Sequence, residues 1–462
     1  MQQPSIRTRG ELRASGHEYL TVKDEIRQNL LAELRGGRDP FPGIIGFGQT
    51  VLPQLERALI AGHDLILLGE RGQGKTRLIR TLGGLLDEWT PVVAGCEIND
   101  HPYAPVCARC VRLSRELGDD LEISWRHRDE RYGEKLATPD TSIGDLIGDI
   151  DPVKVAEGRT LGDPETIHFG LVPRTNRGIF SLNELPDLAE RIQVSLLNVL
   201  EERDIGVRGY ALRLPLDLLL VASANPEDYT SRGRIITPLK DRFGAEIRTH
   251  YPLTLSDELA LIEQEAVLPA HAEVPDHLIE VIARFTRLVR DSPAVDSRSG
   301  VSARFAIAAA ESAAASAVRR SALTSGTDIP VTRVCDLPPV AGTLRGKVEF
   351  EVSEEGREEE LLAALLRRAV AETFRARLGS ADLSGLIAKF DDGGAVEGGE
   401  LVTDAGLLGS AGDVPGLAKI MERLGMDGGE SFGHAAAALE FALEGLYLMR
   451  RLSKDSTGAY QL

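Results

Sequence analysis

The sequence predicts an α/β fold, a parallel sheet flanked by helices, followed by an all-helical lid and a C-terminal helical region. Three observations carry this expectation. Short runs that are almost wholly apolar, Asp64–Leu68, Gly178–Leu182 and Asp217–Ala222, alternate with helical periodicity, as strands covered on both faces do. A phosphate-loop pattern, Gly69-x-x-x-x-Gly74-Lys75-Thr76, joins the first run to a helical stretch. After Pro252 the patterns are predominantly helical.

Taken in order, residues 1–40 form a charged N-terminal extension. A helix is expected near Val22–Leu34, ending at Gly36-Gly37. The Pro- and Gly-punctuated DPFPGIIGFGQ then opens the α/β core, residues 41–251. Within it, Leu188, Ile192, Leu196, Val199 and Leu200 share one face of a helix near Leu188–Glu202, and Ile205–Pro215 reads as a hairpin. Helices follow over Ser256–Val267, Asp276–Asp291 and the Ala-rich Ala303–Arg319. An extended segment at Gly342–Val352 and an acidic helix from Glu354 to about Arg377 complete a helical lid domain, 252–378. Gly379–Gly416, rich in Gly and Asp, reads as a loose connector before a final helix near His434–Leu452, giving a last region of 379–462.

Charge narrows the function classes. The balance of 71 acidic against 53 basic residues gives a net charge of −18, which solubility alone accounts for. A general nucleic-acid binder needs a basic face to displace counterions, so nucleic-acid and anionic-membrane partners are not expected. The longest apolar stretch, Leu214–Ala224, is interrupted by Asp217 and is too short to span a bilayer. The opening MQQPSIRTRGELRASG has no apolar core, so the chain is read as cytoplasmic. Its four cysteines are too few and too clustered for a secreted disulfide framework.

The chemistry concentrates at strand ends. In Gly69-Glu70-Arg71-Gly72-Gln73-Gly74-Lys75-Thr76 the glycines let backbone N–H groups converge on phosphates. Lys75 would reach the β/γ oxygens, and Thr76 offers a hydroxyl to Mg²⁺. Hydrolysis requires a second polar strand end, and Asn183-Glu184 supplies it. Glu184 would polarise the attacking water; Asn183 stands where an aspartate is expected. The strand LLLVASA ends at Asn225, whose amide would hold the same water.

Taken in order, PFPGIIGFGQ, GERGQGKT, IGDLIGDIDPVK, TNRGIFSLNELPDL, LLLVASANPEDYT and LKDRFG resemble the AAA+ ATPases of the magnesium chelatase subunit I and MoxR group. The resemblance runs over roughly Pro40–Arg319, with an amphipathic helix expected after Asp151. It implies a P-loop AAA+ core that binds ATP and Mg²⁺, with Gly69–Thr76 as Walker A and Asn183-Glu184 as the Walker B pair. Asn225 matches sensor 1. Arg242 matches the arginine finger that acts on a neighbour's nucleotide, and Arg304 the sensor 2 arginine. The group's behaviour implies a homo-oligomeric ring, a hexamer, that hydrolyses ATP to remodel a partner carrying a von Willebrand factor A domain on a separate chain. Two outputs stay open: metal insertion into a porphyrin, and MoxR-like maturation of another protein. Asn183 leaves a further alternative, a nucleotide-gated switch with little hydrolysis. A DNA-dependent motor is disfavoured, because Arg208 and Arg213 on the hairpin are too few for a basic stripe.

Between the two Walker segments, in an insertion over about residues 90–135, stands Cys96-x₄-His101-x₅-Cys107-x₂-Cys110. A C-x₂-C pair with two further ligands fits a closed, structural Zn²⁺ site. An iron–sulfur or redox role and unligated thiols are the alternatives. Cys335 lies far from the group and reads as a small buried residue.

Overall fold

The computed structural model describes residues 3–462 except 152, 154–155, 157–165, 202–204, 208–209, 213, 226–233, 270, 297–299, 325–328, 392–393, 427–430 and 456–457. It divides into two compact units, Met1–His250 and Tyr251–Leu462.

In the first unit, helices α1 (Val22–Arg35) and α2 (Val51–Ile60) precede β1 (Leu65–Leu68) and α3 (Lys75–Thr81). An insertion follows, with β2 (Trp89–Val93), α4 (Ala108–Leu117) and β3 (Ile123–His127). The core resumes with β4 (Tyr132–Leu136), β5 (Gly178–Asn183), α5 (Glu190–Glu201), the hairpin β6 (Ile205–Val207) and β7 (Tyr210–Leu212), β8 (Leu218–Ala224), α6 (Thr237–Arg242) and β9 (Ala245–Arg248). The amphipathic helix expected after Asp151 lies largely outside the described residues, as do Arg208 and Arg213.

Five of these strands form a parallel sheet in the order β9-β1-β8-β5-β4. The apolar runs make strands because both of their faces are buried. Ile66, Leu68, Phe180, Leu182, Leu220 and Ala222 pack into one core, whereas Leu65, Leu67, Ile179, Leu219 and Val221 pack into another on the opposite side. That division is the period-two alternation of a strand read on both faces at once. A buried ion pair ties the N-terminal extension to this core: Arg131 binds both oxygens of Glu25 at 2.6 and 2.7 Å. Parallel strands bring their C-terminal ends to one edge, where Leu68, Asn183 and Ala224 end.

The second unit contains α7 (Leu255–Glu265), α8 (Asp276–Arg290), α9 (Ala303–Leu323), α10 (Pro338–Leu344), α11 (Glu358–Leu378), α12 (Asp404–Ala411), α13 (Leu417–Arg423) and α14 (Phe432–Leu448). Small side chains on α9, including Ala306, Ala309, Ala310, Ala313 and Ala317, recur at helical spacing and are buried, so neighbouring backbones approach closely. Two expectations are corrected here. Gly342–Val352 is extended only in its later part: its first residues finish α10, Arg345–Lys347 form a 3₁₀ turn, and the extended residues after it include Phe350, which bridges to Val295. Gly379–Gly416 is not a loose connector either. Leu383, Leu386, Phe390, Val396 and Leu407 are buried in the same core as α8 and α14, so one core spans the regions expected as 252–378 and 379–462.

Candidate active site

The loop after β1 turns back into α3 through glycine. Gly72 and Gly74 hold φ of +73° and +75°, in the left-handed region where a Cβ is costly. Gly69 is constrained by space instead: a Cβ there would run into the Thr249 hydroxyl and the Gln73 amide. Those two groups are already joined, Thr249 Oγ1 donating to Gln73 Oε1 at 2.7 Å. No side chain caps the start of α3. Thr76 is the second residue of that helix and is half-buried, while Glu70 is half-buried and Arg71 exposed.

Lys75 is buried. Its ammonium donates to the carbonyl of Gly69, to that of Glu70 at 2.9 Å, and to Asn225 Oδ1 at 2.7 Å. Asn225 in turn donates through Nδ2 to Glu184 Oε2 at 2.7 Å. Glu184 sits at φ +56° and ψ +47°, an uncommon conformation for a residue with a side chain. This left-handed step ends β5. The structure thus joins Lys75, at the start of α3, with Asn225 and Glu184, which directly follow two strands, in one hydrogen-bonded chain.

Asn183 is also buried. Its Nδ2 donates to Glu134 Oε1 at 2.7 Å and its Oδ1 accepts from Ser223 Oγ at 3.1 Å. Glu134 further accepts from Arg80 at 2.9 and 3.1 Å and from the Tyr132 hydroxyl at 3.2 Å. Sequence reasoning missed Glu134, because YGEKL carries no local motif. The signal is the pairing of β4 with β5, which sets Glu134 opposite Ser181. An ammonium, an uncapped helix start and two carboxylates beside two amides form a donor set that fits a polyphosphate with Mg²⁺. Arg242 is exposed at the C-terminal end of α6, and Arg304 is exposed in the first turn of α9 in the second unit.

The cysteine motif is only partly as expected. Ligand atoms of Cys96, Asp100, Cys107 and Cys110 all lie within 4.8 Å of one another. His101 is not in this group, a correction with a clear cause. Both of its ring nitrogens are engaged elsewhere, Nδ1 accepting from the Tyr103 amide at 3.1 Å and Nε2 lying 3.2 Å from His17 Nε2. Burial, then the positive charge of Arg177, lowers its pKa to about 2, so the imidazole is neutral. Tyr19 and Tyr103 pack against the ring edge to face. Cys335 is partly buried in the second unit.

No protein-family model matches the chain. A magnesium-chelatase subunit ChlI from Nostoc sp. is 29% identical over 238 residues, covering 49% of this chain and 58% of that protein. The ChlI subunit from Synechocystis sp. is 31% identical over 223 residues, covering 46% of this chain and 57% of its own length. Over that stretch the chain is similar to magnesium-chelatase subunit I. The match spans a little over half the length of those chelatase subunits. A solved complex of the chelatase subunits BchI and BchD aligns at 20% identity with a TM-score of 0.36, over 70% of this chain and 98% of that one. The fold of this chelatase-subunit-like chain is the α/β one expected, a parallel sheet flanked by helices, with a helical unit following in the sequence. Among the described residues no helix is long and apolar enough to cross a membrane.

Proposed function

We propose that this chain is an ATP-hydrolysing AAA+ motor that works in the cytoplasm as a homo-oligomeric ring, a hexamer, and remodels a partner protein. The observation that carries the reading is the hydrogen-bonded chain Lys75–Asn225–Glu184 beside the Asn183–Glu134 pair. In this reading Gly69–Thr76 cradle the phosphates, and Thr76, Asn183 and Glu134 hold Mg²⁺ directly or through its waters. The metal would neutralise charge on the phosphates. Glu184 takes up a proton from the attacking water, and Asn225 orients that carboxylate. Arg242 and Arg304 act on nucleotide, the first across a subunit interface. Kinship with magnesium-chelatase subunits favours a client system in which metal enters a porphyrin, with a von Willebrand factor A domain partner; a MoxR-like maturation role uses the same motor.

A nucleotide-gated switch with little hydrolysis is the competing reading, and Asn183 favours it, since an amide brings no charge to the metal. Glu134 answers that objection by bringing a carboxylate to the same place. The deciding experiment is Mg²⁺-dependent ATP turnover per chain across protein concentrations, with Glu184→Gln as blank. Specific activity that rises with concentration and vanishes in the variant supports an assembling motor. Tight ATP binding with turnover equal to the blank overturns the motor in favour of the switch.

A further inference from the structure

We infer that Cys96, Asp100, Cys107 and Cys110 bind a single Zn²⁺ ion through three thiolates and one carboxylate, fastening the insertion between β2 and β3. The inference is independent of the nucleotide reading.

Local backbone geometry builds the site. Cys96 follows β2 on a turn through Gly95 at φ +67°, its amide donating to the Val93 carbonyl at 3.1 Å. Asn99, at φ +58°, reverses the chain so that the next residue points inward. Cys107 is the N-cap of α4, which returns Cys110 to the same point one turn later. Two backbone N–H groups already face sulfur: Asp100 N to Cys96 Sγ and Cys110 N to Cys107 Sγ, each at 3.3 Å. N–H···S bonds of this kind disperse charge on a metal-bound thiolate.

Asp100 supplies the decisive observation. It is completely buried. One carboxylate oxygen accepts from the amides of Val106 and Cys107 at 3.0 and 2.8 Å, while the other, Oδ1, is buried with no hydrogen-bond partner. A buried carboxylate oxygen without a partner has lost its water and destabilises the fold unless something else satisfies it. A cation at the centre of the three sulfurs satisfies it.

The ligand chemistry selects the ion. Thiolates exclude Ca²⁺ and Mg²⁺, which take oxygen ligands. Tetrahedral Zn–S bonds of about 2.3 Å put sulfurs about 3.8 Å apart, compatible with four ligand atoms inside one 4.8 Å group. So compact a group encloses one ion rather than a cluster of several. Four protein ligands leave no open position, so the ion is structural. The need for it is visible in packing: the insertion's own core has only Val93, Cys110 and Leu121 fully buried. Such a core is too small to order the segment alone. The fastening reaches the sheet, because Asn99 Nδ2 donates to the Arg174 carbonyl at 2.6 Å and Asn176 Nδ2 to the Ile98 carbonyl at 2.9 Å, just before β5.

The test uses the full chain, expressed with zinc and purified without chelator. Elemental analysis should find one zinc per chain in the wild type, in His101→Ala and in Cys335→Ser, and well under one in Cys110→Ser. Asp100→Asn weakens a ligand itself and should lower zinc affinity, read against a chromophoric chelator, by at least the roughly 10- to 100-fold lost when only a supporting group is removed. Cobalt substituted for zinc should give tetrahedral visible bands with charge-transfer intensity for three thiolates, rising by about a third in Asp100→Cys. That variant and the wild-type spectrum decide the question should Asp100→Asn fail to fold. Wild-type protein with well under one zinc and freely reactive thiols overturns the site. Loss of zinc in His101→Ala with retention in Asp100→Asn overturns the carboxylate ligand.

Discussion

Asn183 donates its side-chain amide to the carboxylate of Glu134, 2.7 Å away on the neighbouring strand. The residue that departs from the expected aspartate therefore stands beside a carboxylate that comes from 49 positions earlier in the chain. In the proposed reading the charge sits one strand over rather than being absent.

If Glu134 supplies that charge, Glu134→Gln should weaken Mg²⁺-dependent turnover roughly 10- to 100-fold, the range seen when supporting groups at metal sites are removed. Asn183→Asp should rescue it in the Glu134→Gln background, yet impair the otherwise native chain by setting two carboxylates together. A double-mutant cycle on the Mg²⁺ dependence of turnover reads the coupling. Independent, additive effects would mean that Glu134 serves only to pair with Arg80.

Lys75→Ala removes the ammonium that holds Gly69, Glu70 and Asn225 together. ATP affinity, measured by calorimetry, should fall at least tenfold. An unchanged affinity would dissociate the loop from nucleotide binding.

Arg242→Ala should retain ATP binding while losing most hydrolysis, because the exposed end of α6 serves a neighbouring subunit in this reading. Mixing it with Lys75→Ala subunits should restore part of the turnover, since each defective chain lends its intact half to an interface. Mixtures that stay inactive would place the finger elsewhere.

In the second unit His277 is fully buried against Phe441, with neither ring nitrogen hydrogen-bonded. Burial, then the facing charges of Arg377 and His434, lowers its pKa from 6.5 to about 3. The native state holds this ring neutral, so its contribution is fully present above pH 6.5. As pH falls below 6.5 the unfolded chain takes up a proton the native chain refuses, at a cost of about 1.4 kcal/mol per pH unit. Denaturant unfolding of His277→Phe should therefore lose less stability than the wild type between pH 6.5 and 5, by roughly 2 kcal/mol. Equal losses in the two proteins would show that the ring is protonated in the native state.

What the sequence made legible was local. The phosphate loop and the apolar strands announce themselves because each depends on a few adjacent residues. Glu134 does not, since its role arises from which strand lies next to β5. Asp100 and His101 are neighbours in the chain, and counting positions could not tell which of them faces the sulfurs; the left-handed turn at Asn99 decides it. Composition misled at Gly379–Gly416, where Gly and Asp outnumber the apolar residues but Leu383, Phe390 and Leu407 still fill the core.

Lys75 and Asn225 are separated by 150 positions, and Asn225 and Glu184 by 41, yet they meet through adjacent ends of one sheet. No fragment that ends before Asn225 contains the side-chain partner of the lysine. Loops of that span close late, because their entropy must be lost before any contact rewards it. If the site binds nucleotide as proposed, a partly folded chain lacks the completed site, and bound nucleotide draws the equilibrium toward the finished sheet. In the proposed reading, the same hydrogen-bonded chain that serves the nucleotide also reports that the sheet is complete.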